Sequence, residues 1–235
     1  METDWDTRAK HNARKYIATD AWRNEEQFDR SGADDITKLL HGIIVDREAT
    51  VLEIGLGIGR MTKHLAIYFA EIYGTDVSNE MIKQARVRLR NFSNVKIDKN
   101  DGKSLSMYPD RKFDFVFSVK VFQHLPRQIF LRYIDEVRRV IKPTGIFKFQ
   151  IFERTRIAGM IPSFWLRNLK LKDGGTSFHF KFWADPPDDD TWIVRAYSRK
   201  ELTRILEEKG FSDIAMEKPS GFEGDLWVTA RSACS

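Results

Sequence analysis

The run Thr50-Val51-Leu52-Glu53-Ile54-Gly55-Leu56-Gly57-Ile58-Gly59 decides the fold. A short β-rich segment stops at three glycines in five residues, the pattern of a buried strand turning tightly into a helix. Downstream, Met61, Leu65, Ile67 and Tyr68 predict a helix over 60–70, and Glu71 to Thr75 a second strand stopped at Asp76. Ser78 is placed to cap a helix over 79–90, with Ile82, Ala85 and Leu89 on one face. A third strand is expected at 94–98. The nearly continuous apolar run from Phe113 to Val119 predicts a fourth, as parallel strands covered on both faces require. Pro126 opens another helix, with Phe130, Ile134, Val137 and Ile141 inward, ended by Pro143 and Gly145, and a fifth strand follows at 146–152.

This alternation predicts an α/β fold: a doubly wound, Rossmann-like, seven-stranded, mostly parallel sheet. A helix over 198–209 and strands near 212–217 and 226–230 complete it. The expected organisation is a single domain over 1–235. An N-terminal helical arm spans 1–48, the core 49–152, a cap insertion after the fifth strand 153–197, and a C-terminal helix with strands 198–235. The interruption at 153–197 exceeds ordinary connections and is rich in aromatic residues, among them Phe164, Trp165, Phe178, Phe182, Trp183 and Trp192. In the arm, Trp5, Tyr16, Trp22 and Phe28 are available to pack on the core or the cap.

Composition sets the outer bounds. With 235 residues, 42% hydrophobic and 31% charged, the chain has the make-up of a folded globular protein rather than a collagen, coiled coil or disordered tract. The one cysteine, Cys234, rules out an internal disulfide and a cysteine-rich zinc site, and no metal is expected. The acidic start and the lack of a long apolar run predict neither a secretory signal nor a membrane span, so the expected location is cytoplasmic. A net charge of +5 is mild, and the cations between Lys83 and Lys112 fit a solvated face as well as a nucleic-acid patch. Nucleic acid is therefore not the expected partner, and the oligomeric state is not legible.

The glycine turn lets a backbone approach a ligand at an open helix N-terminus, and Asp76, at the end of the next strand, offers a carboxylate to ribose hydroxyls. Arg60 stands where a dinucleotide fingerprint has a third glycine or alanine, which counts against a pyrophosphate wrapped on this turn. An adenosine cofactor other than NAD or FAD is favoured.

Here the sequence resembles the class I S-adenosylmethionine-dependent methyltransferases, over roughly residues 48–152. Val51 to Gly59 is similar to that family's first motif, which implies that Gly55, Gly57 and Gly59 pass the methionine part of the cofactor. Gly74-Thr75-Asp76-Val77-Ser78 resembles its second-strand motif. The resemblance implies that Asp76 grips the ribose, that Val77 packs on adenine and that Met81 lines the same pocket. Asn100-Asp101-Gly102 resembles the segment after the third strand, implying Asp101 near the adenine amino group with Gly102 beside it. Phe113 to Val119 is similar to the fourth strand, which brings Val119 to the cofactor, and Phe122-Gln123-His124-Leu125 follows it. Lys142-Pro143-Thr144-Gly145 resembles the turn before strand five. The implied cofactor is S-adenosyl-L-methionine and the implied activity is methyl transfer.

Each residue has a plainer alternative. The glycines could form a turn only, Asp76 could cap the adjacent helix, and Asp101 could belong to an Asn-Asp-Gly turn. Glu53 would act through the glycine-loop backbone or the cofactor amine, or serve in structural pairing. His124 stands at the carboxyl edge, where it is either a base for an attacking hydroxyl or a wall residue. Expected substrate contacts are Tyr16, Phe122, Gln123, Phe178, His179 and Trp183, with His179 an alternative base. Asp185-Pro186-Pro187 resembles an amino-methyltransferase signature but lies beyond the fifth strand, so it reads as a loop.

The aromatic, nearly charge-balanced cap favours a small metabolite with an oxygen or nitrogen nucleophile. Residues 157–172 mix apolar and basic side chains as a helix touching a membrane or a lipid-like substrate would, although Pro162 weakens that pattern. Quinone-type, lipid or nucleic-acid acceptors, and a non-catalytic binding role, are the alternatives.

Overall fold

The computed structural model describes residues 2–18, 21, 23–154, 177–180, 192–218 and 225–233, with the backbone alone for 177–180 and 192–193. Two arm helices, α1 (Glu2–Ile17) and α2 (Glu25–Leu40), precede β1 (Thr50–Ile54). Then follow α3 (Thr62–Leu65), β2 (Glu71–Asp76), α4 (Asn79–Arg88), β3 (Val95–Lys99), β4 (Phe113–Ser118), a 3-10 turn (Phe122–His124), α5 (Arg127–Val140) and β5 (Ile141–Glu153). The chain closes with β6 (Ser177–Phe180), β7 (Trp192–Tyr197), the helix Arg199–Glu208, here α6, β8 (Phe211–Glu217) and β9 (Asp225–Ser232).

The sheet has the order β3-β2-β1-β4-β5 with every neighbour parallel. Antiparallel β9 follows on β5, and β8 pairs with β9. These seven strands are the doubly wound sheet that the alternation predicts. Order reverses between β1 and β4, which opens a crevice at their carboxyl ends. The β6–β7 hairpin is an addition. Phe152 of β5 faces Asp225 of β9 on one edge and Ala196 of β7 on the other. The hairpin therefore takes over the β4 side of β5 beyond Phe149, the last β5 residue that β4 reaches, and stands at the carboxyl edge.

Local chemistry explains most boundaries. Ser78 caps α4 by accepting the Met81 N–H, and Ser198 caps α6 by accepting that of Glu201. The helix expected over 60–70 is shorter, only Thr62–Leu65. Met61 and Leu65 point inward, but Ile67 and Tyr68 are exposed, and the polar groups of the segment reach toward α2 instead. Lys63 pairs with Asp29, and His64 Nε2 lies 2.9 Å from the Asp29 carbonyl oxygen. The fifth strand starts at Ile141, earlier than the sequence predicts. Register jumps between Phe113–Ile141 and Phe115–Ile146, so Pro143 and Gly145 occupy a bulge inside the strand.

Both faces of the sheet are covered. On one, Phe113, Phe122, Phe130, Phe147 and Phe149 pack beneath α5 and α6. On the other, Val51, Phe115, Phe117 and Trp227 meet Ile36 and Leu39 of α2. Lys148 is buried on this side, where its ammonium donates to the carbonyls of Lys38 (3.3 Å) and His41 (2.8 Å) at the end of α2. Those carbonyls lack helical partners, so the lysine ties α2 to β5. Among the described residues no helix is long and apolar enough to cross a membrane.

Candidate cofactor and acceptor site

The glycine turn after β1 is built as its sequence requires. Gly55, Gly57 and Gly59 have φ of 82°, 55° and 78°, in the left-handed region that side chains disfavour. Space forbids side chains as well: a Cβ on Gly55 would lie 2.3 Å from Val121 Cγ2, and one on Gly57 2.8 Å from Ile17 Cδ1. The turn is tied to β2 because Gly55 and Leu56 donate to the Thr75 carbonyl.

Asp76 closes this cradle. One carboxylate oxygen accepts the Gly57 N–H at 3.0 Å and the other accepts that of Ser78 at 2.9 Å. Desolvation pushes its carboxyl above the ordinary range against those bonds. Beneath the turn Glu53 is buried and accepts the Thr62 hydroxyl at 2.6 Å. Desolvation pushes it up to about 8, offset in part by Thr62 and Arg60. A buried acid of this kind is neutral until a cation arrives to pair with it. Open backbone, a ribose-ready carboxylate and a buried acid fit a cofactor bearing both ribose and a primary amine.

Val77 and Val119 are half-buried at the carboxyl ends of β2 and β4. Asn100 accepts the Gly102 N–H, and Gly102 takes a φ of 71°. Asp101 is exposed and closes its own turn, accepting the N–H groups of Lys103 (2.8 Å) and Ser104 (2.7 Å). Desolvation is outweighed by these bonds, which hold its carboxyl below the usual range.

The arm forms the roof. Met81 is buried against Ala9 and Ala13 of α1, Phe28 of α2 and Ile58 of the turn, with Trp5 and Ile17 alongside. Asp6 accepts the Ser78 hydroxyl at 2.5 Å and the Glu80 N–H at 3.1 Å, an added cap on α4. Arg60 is buried and donates to Asp35 (2.6 Å) and Ser31 (3.1 Å) of α2. The residue that departs from a dinucleotide fingerprint thus anchors the arm to the cofactor turn.

On the acceptor side, His124 ends the 3-10 turn after β4. The Trp5 ring meets it edge-on at 5.9 Å, the Gln123 amide nitrogen is 3.5 Å from its Nε2, and Arg195 of β7 donates to its carbonyl at 3.3 Å. Tyr16 is buried on α1, with the Arg8 guanidinium over its ring at 5.8 Å. Phe122 corrects an expectation. It is fully buried among Phe130, Tyr133, Phe147 and Phe149, because the turn directs it into the core while Gln123 and His124 stay at the edge. Phe178 and His179 pair through their backbones with Val194 and Ile193. Trp22, Trp183, Cys234, the 157–172 segment and Asp185-Pro186-Pro187 lie outside the described residues.

Residues 51–145 match the family described as a methyltransferase domain. They form a class I S-adenosylmethionine-dependent methyltransferase domain. S-adenosylmethionine is the cofactor of that family. The methyltransferase domain is 35% identical over 99 residues to the 2-methyl-6-phytyl-1,4-hydroquinone methyltransferase of Synechocystis, covering 41% of this chain and 30% of the relative. The chain thus spans about a third of the length of such curated relatives. In fold it is similar to the PH0226 protein of Pyrococcus horikoshii, with TM-score 0.70, 21% identity and coverage of 89% and 92% of the two chains. It is likewise similar to the DhpI–SAM–HEP complex, with TM-score 0.67, 22% identity and coverage of 97% and 94%.

Sequence reasoning missed Asp6, Asp35 and Arg195 as residues that brace the site. Only Arg60 left a signal, as a charged residue directly after three glycines.

Proposed function

We propose that this chain transfers a methyl group from S-adenosylmethionine to an oxygen or nitrogen nucleophile of a small metabolite. One observation carries this: the glycine turn with Asp76 and the turn bearing His124 meet at the carboxyl ends of neighbouring strands, with Trp5 of the arm against His124. When bound, the cofactor would supply a methyl group on a sulfonium for in-line displacement, with S-adenosylhomocysteine as the leaving group. The chain's own residues then position and desolvate. Asp76 and Glu53 fix the cofactor's polar ends, α1 excludes water, and His124 accepts the proton of an attacking hydroxyl. An amine acceptor would need only to arrive unprotonated.

The test is incubation of the protein with methyl-labelled cofactor and a pool of small polar metabolites, beside His124→Gln. Label in a polar product, lowered about 10²- to 10⁴-fold in the variant for a hydroxyl acceptor, supports the proposal. No transfer by a protein that binds the cofactor would refute it. A quinone-type acceptor is the second reading, favoured by the hydroquinone and demethylmenaquinone methyltransferases among the relatives. It predicts label in the organic phase.

A further inference from the structure

Tyr133 of α5 carries a buried polar group that neither the fold nor the site described above uses. The residue is 3% exposed, and none of the described residues hydrogen-bonds its hydroxyl. Phenylalanine would fill the same aromatic cluster without taking a phenol hydroxyl out of water unpaired. A ligand that pairs the hydroxyl accounts for its presence.

The topology places this group. α5 starts just after the 3-10 turn that follows β4 and runs back along the sheet, so that Val140 accepts the N–H of Lys112 at the start of β4. Midway, Glu136 accepts the Leu105 N–H at 2.7 Å and Arg139 donates to the Leu105 carbonyl at 3.0 Å, which clamps the segment after β3 to the helix. Tyr133 lies one turn before Glu136, nearer the carboxyl edge. Its ring is 5.9 Å from that of Phe122 and shares a cluster with Leu105 and with Ile54 at the end of β1. It therefore stands between the segments that follow β4 and β3. Burial, then the carboxylates of Asp101, Asp76 and Glu136, push its ionisation above the ordinary phenol range, so the hydroxyl keeps its proton and donates.

The cofactor's own connectivity sets what reaches it. The transferring sulfonium must face His124 after β4, and the ribose meets Asp76 at the end of β2. The purine, joined to the far side of the ribose, must then extend along the edge toward β3, where Asp101 lies. The Tyr133 hydroxyl is within electrostatic reach of both these carboxylates.

We infer that the Tyr133 hydroxyl donates a hydrogen bond to a ring nitrogen of the cofactor's purine, a specificity contact supplied by α5. This rests on the cofactor filling the cradle of Gly55–Gly59 and Asp76, and it assigns the base end of that site.

The experiment titrates the full chain and Tyr133→Phe calorimetrically with S-adenosylhomocysteine and with three deaza analogues. Each analogue has a different acceptor nitrogen of the purine replaced by CH. The variant should bind S-adenosylhomocysteine about three- to tenfold more weakly, as loss of one hydrogen bond requires. One analogue should bind parent and variant equally, while the other two keep the difference. The melting temperature of the unliganded variant should be unchanged or raised, because the hydroxyl has no protein partner. Equal affinity of parent and variant for S-adenosylhomocysteine, or the same loss with all three analogues, would overturn the inference while leaving the cofactor reading intact. A lower melting temperature in the unliganded variant would also overturn it, by making the hydroxyl part of the fold. A folded parent that binds no S-adenosylhomocysteine would remove the cofactor reading as well.

Discussion

Glu53 accepts the Thr62 hydroxyl at 2.6 Å while desolvation pushes its carboxyl from an ordinary 4.5 to about 8. The folded protein holds this proton where the unfolded chain has lost it. The resulting stability is complete below about pH 4.5 and is lost as pH rises toward 8. Its size is on the order of a few kcal/mol. Glu53→Gln keeps an acceptor for Thr62 without the charge. Thermal melts at pH 5 and 8.5 should show a smaller fall in the variant than in the parent, and equal falls would contradict the assignment.

The same group predicts proton release on cofactor binding. An ammonium arriving beside Glu53 favours the carboxylate, so near pH 6.5 about one proton leaves. Calorimetry of S-adenosylmethionine in two buffers of different ionisation enthalpy measures it. Release should vanish in Glu53→Gln, whose affinity should fall about tenfold or more.

Arg60 and Asp35 predict an asymmetry. Asp35→Ala leaves a buried guanidinium uncompensated and should cost about 3–5 kcal/mol, whereas Arg60→Met replaces the cation with an apolar chain and should cost less. Urea titrations of both variants give the comparison.

Phe122 tests core against wall. Phe122→Ala should cost about 3–5 kcal/mol of stability, as burial in an aromatic cluster requires. Phe122→Leu should fold and keep cofactor affinity. A specific loss of acceptor binding in Phe122→Leu, at unchanged stability, would return this ring to the chamber wall.

The arm predicts its own effect. Removing residues 2–17 exposes Met81 and Ile58 and deletes Asp6 from the start of α4. Affinity for S-adenosylhomocysteine should drop at least tenfold, measured by calorimetry on the folded truncation. Unchanged affinity would mean that α1 is a bystander.

What was legible in the sequence was local. The apolar run of β4, the glycine turn and the cap at Ser78 depend on neighbours a few residues away, and each forms where its pattern predicts. Contacts between distant segments leave no such pattern. Asp6 meets Ser78 across 72 residues and Arg195 meets His124 across 71, and neither pair has a period or spacing to announce it. Lys148 lies within an apolar strand, and the α2 carbonyls that accept from its ammonium account for its burial. The direction of Phe122 is not legible, because a 3-10 turn can aim a side chain to either side and adjacency to His124 says nothing about direction. The apolar residues of 60–70 suggest a longer helix than forms, because two of them, Ile67 and Tyr68, face solvent.

If Gly55–Gly59 and Asp76 hold S-adenosylmethionine, calorimetric titration of the protein and of Asp76→Ala with S-adenosylmethionine, S-adenosylhomocysteine and NADH will show it. Micromolar affinity is expected for both sulfur cofactors, with a loss of at least tenfold in the variant and no comparable binding of NADH. A folded protein that binds neither sulfur cofactor, or that binds them equally well without the Asp76 carboxylate, would contradict it.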